Sequence, residues 1–401
     1  MKHIYIFITQ CKASNYGVGT YTEQLVQFLR GNYNLTLVYL NTDKNEFMCV
    51  HDEKGIRNIY IPQCVGSKYI ENSQFANLYY QAVWFLISPY ISKNENNIFH
   101  FQYTHVLPLV SMIKEQLRES KIVLTLHYME WAFALKGNKQ QLIDIINQPP
   151  ESLSGKERIV YDSFCKSKKL FMLVDKTICL CSYAYRLLNE IFDIPSYKLS
   201  FIANGLKDKE QNTISKNKIM HLFPHEKIIL FVGRLDENKG LTYLLKAFRL
   251  LTNKYTNLRL VIVGDGDYNW CLKECYGIWN CVSFTGVIDR QSLYQLYNIA
   301  EMGILPSINE QCSYVVIEMF RHALPVVGTD STGLSEMIVD GINGYKVKVS
   351  SDGSLSPLEL AEKIERCLNN SNLSEGARNT FTEKYSAELM FMKYQEMYNK
   401  L

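Results

Sequence analysis

Lys227-Ile228-Ile229-Leu230-Phe231-Val232-Gly233-Arg234-Leu235-Asp236-Glu237-Asn238-Lys239-Gly240-Leu241 is the stretch whose reading decides the fold. Six residues of β-rich, almost wholly apolar chain are too continuous for a half-solvated strand, so they predict a strand covered on both faces. A glycine ends it, a short polar turn follows, and from Leu241 to Thr252 apolar residues recur at helical spacing. Strand, turn and helix make the opening of a parallel α/β unit.

The same alternation runs on in both directions. Downstream come predicted strands Leu258 to Val263, Val282 to Phe284, Met302 to Leu305, Pro325 to Val327 and Gly344 to Val347, with helices Tyr268 to Tyr276, Arg290 to Ala300 and Tyr314 to His322 between them, and further helices starting at Pro357 and Ala387. Upstream, strands are expected at His3 to Thr9, Leu35 to Leu40, Asn58 to Ile61, Ile98 to Phe101, Ile122 to Leu126, Lys176 to Leu180 and Leu199 to Ile202. Amphipathic stretches at Tyr21 to Arg30, Phe75 to Ile91, Leu109 to Arg118 and Gly155 to Leu173 separate them. Between the two series Lys207 to Lys218 is polar and poor in apolar residues, which marks a linker. A chain of 401 residues exceeds what one core supports, so two doubly wound units are expected. In such sheets ligands sit beyond the carboxyl ends of the strands.

Composition excludes several classes. Lys and Arg number 43 against 40 Asp and Glu, a formal charge of +3 that is too balanced for a protein built to grip nucleic acid. No secretion signal is read at Met1 to Ile8, and Tyr79 to Ile91 is too short to cross a bilayer. A cytoplasmic location follows as an expectation. The 11 cysteines are scattered without paired CxxC clusters and read as reduced thiols. Cys271, Cys275 and Cys281 lack a fourth metal ligand.

Two stretches carry chemistry. Arg234 and Lys239 lie at a strand end and helix start, where a guanidinium fork, an ammonium and helix amides together suit a diphosphate. The plain alternative is a solvated turn. In Pro306-Ser307-Ile308-Asn309-Glu310-Gln311-Cys312-Ser313-Tyr314-Val315-Val316-Ile317-Glu318 two carboxylates stand eight positions apart, Glu310 in a loop and Glu318 inside the next helix. They span at most roughly 12 Å at about 1.5 Å per residue, a reach that fits two sugars across a diphosphate. The alternative is a surface acid and a helix acid favoured by the helix dipole.

These stretches occur in order with Val263-Gly264-Asp265-Gly266, Phe284-Thr285-Gly286, Pro325-Val326-Val327, Gly333-Leu334-Ser335-Glu336 and Asp340-Gly341-Ile342-Asn343-Gly344. Together they resemble the retaining family 4 glycosyltransferases, also called group 1 glycosyl transferases. Gly17-Val18-Gly19, His127 and Asn204-Gly205 extend the resemblance into the first half.

The resemblance implies an α/β GT-B fold: two facing Rossmann-like doubly wound domains with an interdomain cleft. Residues 1–206 would form the acceptor-side domain, residues 207–380 the nucleotide-sugar-binding domain, and residues 381–401 a helix returning to the first. It implies a hexosyltransferase that moves sugar from a nucleoside diphosphate sugar with retention of anomeric configuration, independently of metal and without a cofactor. A UDP-sugar is preferred to a GDP-sugar as donor. By the same resemblance Arg234 and Lys239 hold the diphosphate, Glu318 binds the ribose and Glu310 faces the transferred sugar. Backbone amides of Cys312, Ser313, Tyr314 and Val315 contact phosphate or sugar, the loop Gly17 to Gly19 closes over the donor, and His127 sits near the anomeric carbon.

Two departures from the family pattern touch the donor pocket: Cys312-Ser313 stands where Phe-Gly is commoner, and Met319 to Ala323 replaces small residues. Asp265-Gly266-Asp267 could be read as a metal-binding pair of acids, but it fits the family's turn after a strand. Gly264-x-Gly266 lacks the third glycine of a dinucleotide fingerprint.

His105, Tyr128 and Trp131 lie in aromatic and histidine-rich stretches expected to line the acceptor site, with a core role as the alternative for Phe101, Trp131 and Phe133. The acceptor would be a glycan, a lipid-linked saccharide or a peptide. Arg158, Lys166, Lys168 and Lys169 read either as a peripheral membrane contact or as a solvated helix face. Two rival functions stand beside transfer: a catalytically silent binding subunit, and a nucleotide-sugar epimerase or phosphorylase on the same plan.

Overall fold

The computed structural model describes residues 2–10, 17–63, 73–92, 96–208 and 225–401. Most of the expected linker, residues 209–218, lies outside them. Among the described residues the chain divides into two compact units, one of residues 1–129, 145–202 and 391–401, the other of residues 130–144 and 203–390.

The first unit is built on eight strands: β1 (His3–Thr9), β2 (Asn34–Thr42), β3 (Met48–His51), β4 (Arg57–Pro62), β5 (Asn97–Phe101), β6 (Lys121–Leu126), β7 (Lys176–Cys179) and β8 (Leu199–Phe201). They lie in the order β3-β4-β2-β1-β5-β6-β7-β8, parallel except for the β3–β4 pair. The central strands are buried on both faces, with Ile4, Ile6, Phe99 and Leu124 inaccessible to solvent. This is why they read as unbroken apolar runs. Strand β3 was not expected. Its Val50 and His51 are exposed, so it carries no buried pattern to read.

The second unit has six parallel strands: β9 (Lys227–Val232), β10 (Leu258–Val263), β11 (Val282–Gly286), β12 (Met302–Leu305), β13 (Val326–Thr329) and β14 (Gly344–Val347). Their order is β11-β10-β9-β12-β13-β14. The chain winds outward from β9 in one direction, then returns to the other side of β9 at β12. That reversal opens a crevice between the carboxyl ends of β9 and β12, the position where doubly wound sheets bind ligands. The core beneath it packs Ile229, Phe231, Leu244, Phe248, Ile262 and Ile304.

Several polar features of the sequence have structural work. Cys271 and Cys275 belong to this core, and burial raises their thiols to about 12 and about 11. Asp267 caps the helix Tyr268–Glu274, accepting from the Trp270 amide at 3.0 Å. Of the cations on helix Gly155–Leu173, Arg158 pairs with Asp162 at 3.1 Å and Lys168 with Asp193 at 2.6 Å. Among the described residues no helix is long and apolar enough to cross a membrane.

Candidate active site

The turn after β9 places its cations by local chemistry. Asp236 caps the short helical turn Glu237–Lys239, its carboxylate accepting from the Lys239 amide at 3.2 Å, and it pairs with Arg234 at 3.1 Å. Gly240 then takes φ +68°, and a side chain there would put Cβ 2.0 Å from the Pro306 carbonyl oxygen. Only glycine combines the left-handed conformation with that approach. The two loops are consequently laid together: Ile308 N–H donates to the Asn238 carbonyl at 3.0 Å, and the Ser307 hydroxyl oxygen lies 3.3 Å from the same carbonyl.

This contact brings Lys239, after β9, onto Glu310, after β12. Lys239 Nζ donates to Glu310 Oε1, which also accepts from the Ser307 hydroxyl at 3.0 Å. Both charged side chains are mostly buried, at 20% and 15% exposure, so the pair is fixed more firmly than a surface ion pair. The Glu310 backbone is pinned as well. Its N–H donates to the Thr332 hydroxyl at 3.0 Å, and its carbonyl accepts from that hydroxyl at 2.6 Å and from Gly333 N–H at 2.8 Å. A Cβ on Gly333 would fall 1.6 Å from the Gln311 carbonyl oxygen, so the approach needs glycine.

Cys312 and Ser313 lead into helix Tyr314–Arg321, with Ser313 at its N-cap and no side-chain bond capping it. The buried Asn204 amide donates to the Cys312 carbonyl at 2.7 Å and fixes this entry. A helix start offers unpaired backbone N–H groups and the positive end of the dipole.

Glu318 is on the same helix and buried. Tyr297, on helix Arg290–Ile299, donates to Glu318 Oε2 at 2.9 Å. Burial raises the Glu318 carboxyl above its ordinary value, and the Tyr297 hydroxyl, Arg321 and Arg290 work in the opposite direction.

The remaining predicted residues divide between the units. His127 follows β6 and is half-buried. Its Nε2 lies 2.9 Å from Gln102 Oε1, its ring meets Tyr21 edge-on at 4.6 Å, and burial lowers its imidazole to about 3. Gly17 and Gly19 form the first turn of helix Gly17–Leu29; the expected loop there is a helix start. His105 is exposed in the short turn Thr104–Val106, and Tyr128 is half-buried with Tyr103 edge-on at 6.3 Å.

Trp131 lies in helix Glu130–Ala134 of the second unit and is 3% exposed, and Phe101 is fully buried, so both are core. Phe133 of the same helix is 40% exposed.

Sequence reading did not single out Tyr297, Thr332 or Gln102. Tyr297 and Thr332 come from distant segments and carry no motif of their own. Gln102 lay inside a stretch noted for its aromatics and histidines.

Residues 214–384 match the family model described as glycosyl transferases group 1. The described residues of that match, 225–384, fall in the second unit. An uncharacterized glycosyltransferase of Methanocaldococcus jannaschii is 31% identical over 210 residues, covering 49% of this chain and 52% of its own. The chain spans about half the length of the curated relatives it matches. Among solved structures, sucrose-phosphate synthase from Thermosynechococcus elongatus has a TM-score of 0.76 at 17% identity, covering 100% of this chain and 99% of that one. HepE of Anabaena in complex with UDP has a TM-score of 0.72 at 15% identity, covering all of both chains. At these identities the likeness is one of fold: the α/β architecture of two Rossmann-like units called GT-B.

Proposed function

We propose that the protein transfers a hexosyl group from a nucleoside diphosphate sugar, a UDP-sugar in preference to a GDP-sugar, with retention of anomeric configuration and without a metal ion. The observation that carries this reading is the Lys239–Glu310 pair, held with Ser307 between the ends of β9 and β12. It sets a cation and a carboxylate side by side where a doubly wound sheet takes its ligand. A diphosphate calls for the first and sugar hydroxyls for the second.

In this reading Arg234, Lys239 and the amides from Cys312 to Val315 stabilise the charge that develops on the departing diphosphate, the task a divalent cation performs elsewhere. Glu310 accepts from hydroxyls of the transferred sugar and Glu318 from the ribose. Gly17 and Gly19 give close backbone approach to the donor, and His127 accompanies the anomeric centre. His105 and Tyr128 belong to the acceptor side. The burial of Trp131 makes it a support there rather than a stacking face. The acceptor is a glycan, a lipid-linked saccharide or a peptide, and the enzyme works in the cytoplasm or at the membrane surface.

The test is a calorimetric and thermal-shift screen of UDP, GDP, ADP and CMP and their sugar conjugates, with and without EDTA. A selective, EDTA-insensitive rise in melting temperature is expected with UDP, since a ligand of the native state alone stabilises it by mass action. A shift that disappears in EDTA would refute metal independence, and no shift with any of them would refute the donor site. NMR of the product then decides the stereochemistry, with an inverted anomer counting against retention.

A further inference from the structure

At the carboxyl ends of β5 and β6 two side-chain pairs are stacked along one face of the first sheet, one inside the strands and one just past them. Alternate residues of a strand share a face, and His100 with Gln102 continues β5 as Thr125 with His127 continues β6. The contacts follow that ladder: His100 Nε2 lies 2.7 Å from Thr125 Oγ1, and one rung further His127 Nε2 lies 2.9 Å from Gln102 Oε1. The lower rung is anchored from the C-terminal helix Ala387–Lys400. His100 Nδ1 lies 2.6 Å from the Tyr398 hydroxyl, and Tyr21 bonds both the Tyr394 hydroxyl and Thr125 Oγ1, the latter at 2.8 Å. Tyr21 in turn lays its ring edge-on against His127 at 78°. The titratable groups on these elements are Tyr21, against the His127 ring, and Tyr394 and Tyr398, against His100, whose imidazole burial lowers to about 3.

We infer that Gln102 is a positioning residue for His127: its amide oxygen accepts the His127 Nε2–H and so selects the tautomer whose Nδ1 is a bare acceptor. Gln102 is 1% exposed, and its Oε1 is the amide atom set against His127 Nε2. A neutral imidazole has one donor and one acceptor nitrogen, and the partner of one decides the role of the other. The consequence rests on the proposed role of His127 beside the transferred sugar. With Nδ1 an acceptor, His127 takes a hydrogen bond from a sugar hydroxyl; the other tautomer would offer one.

Long-range proton–nitrogen NMR on the full chain, labelled with ¹⁵N-histidine and assigned with His127→Asn, reads the tautomer directly. The wild type is expected to be protonated at Nε2. In Gln102→Leu the His127 signals should move toward the opposite or an averaged tautomer, and transfer should fall roughly a hundredfold, as for a misplaced catalytic group. Gln102→Glu serves if the leucine variant does not fold. It keeps the acceptor, so Nε2 stays protonated, and the added charge should raise the His127 titration by roughly one to three pH units.

A wild-type imidazole protonated at Nδ1 would overturn the inference, as would signals unchanged in Gln102→Leu or a His127 titration unmoved in Gln102→Glu. A tautomer that shifts while transfer stays normal would support the positioning of His127 by Gln102 and remove His127 from the proposed reaction.

Discussion

The strand ends of the two sheets gather polar side chains in opposite ways. At β9 and β12 the groups are ionic: Arg234 with Asp236, and Lys239 with Glu310, on loops tied by backbone and hydroxyl contacts. At β5 and β6 they are neutral: Gln102 bonds His127, a second hydrogen-bonded set joins His100 and Thr125 to the tyrosines, and the Tyr21 ring edge-on against His127 links the two. An ionic end suits a ligand that brings charge, since its groups can exchange partners with a diphosphate at little cost in desolvation. A neutral, buried end cannot neutralise charge but holds a ring in one orientation and one tautomer. The two ends should therefore fail differently when mutated, the ionic end through lost charge stabilisation in the transition state, the neutral end through a misplaced His127 ring and a changed pH dependence of stability.

The largest effect is expected at the ionic end. Lys239→Ala and Arg234→Ala should each lower kcat/KM by roughly 2 to 4 kcal/mol of transition-state stabilisation with the fold intact. Steady-state kinetics beside circular dichroism would check this, and near-normal turnover in both variants would erase the distinction between the two ends. Next comes the backbone that brings the pair together. Gly240→Ala must adopt φ +68° and meet the Pro306 carbonyl. It should cost about 2 to 3 kcal/mol in denaturant unfolding. It should also weaken nucleotide binding, because Lys239 can no longer reach Glu310. A variant with full stability would mean that the loops need not touch.

The ionic end was far more legible in the sequence than the neutral one. Strand β9, the glycine turn and helix Leu241–Thr252 are local, so composition and periodicity alone define them, and the order of motifs through Glu318 adds the acids. The neutral end depends on pairing between strands and on tyrosines some 300 residues further along the chain. His100 and Tyr398 meet only because helix Ala387–Lys400 returns residues 391–401 to the first unit. Tyrosines at helical spacing read as ordinary core, and nothing in Gln102 itself signals its partner. Trp131 was misleading for the same reason: an aromatic in a promising stretch is buried when its neighbours pack over it.

The neutral end should show itself on acidification. His100 is inaccessible to solvent and lowered from 6.5 to about 3 in the folded chain, so between those values the unfolded chain binds the extra proton. Stability therefore falls as pH drops through that window, by up to about 1.4 kcal/mol per pH unit for one group. Hydrogen exchange of the β5 and β6 amides between pH 7 and pH 5 should record it, and His100→Asn should flatten the slope. An unchanged slope in that variant would assign the acid sensitivity elsewhere.

The smallest effect belongs to Glu318, and it has the opposite sign. Its carboxyl is raised above 4.5 in the folded chain, so the native state holds the proton more tightly than the unfolded one, and stability declines as pH rises from 4.5 through the native value. Glu318→Gln keeps an acceptor for the Tyr297 hydroxyl and removes the charge that burial penalises. It should raise the melting temperature slightly at neutral pH and leave it nearly unchanged at acid pH. The same substitution should weaken nucleoside diphosphate binding, because a ribose gains more from a carboxylate than from an amide. More stable but poorer at binding is what a buried acid retained for a ligand predicts. A variant that binds normally and is less stable at neutral pH would make Glu318 a structural partner of Tyr297 and take the ribose role away from it.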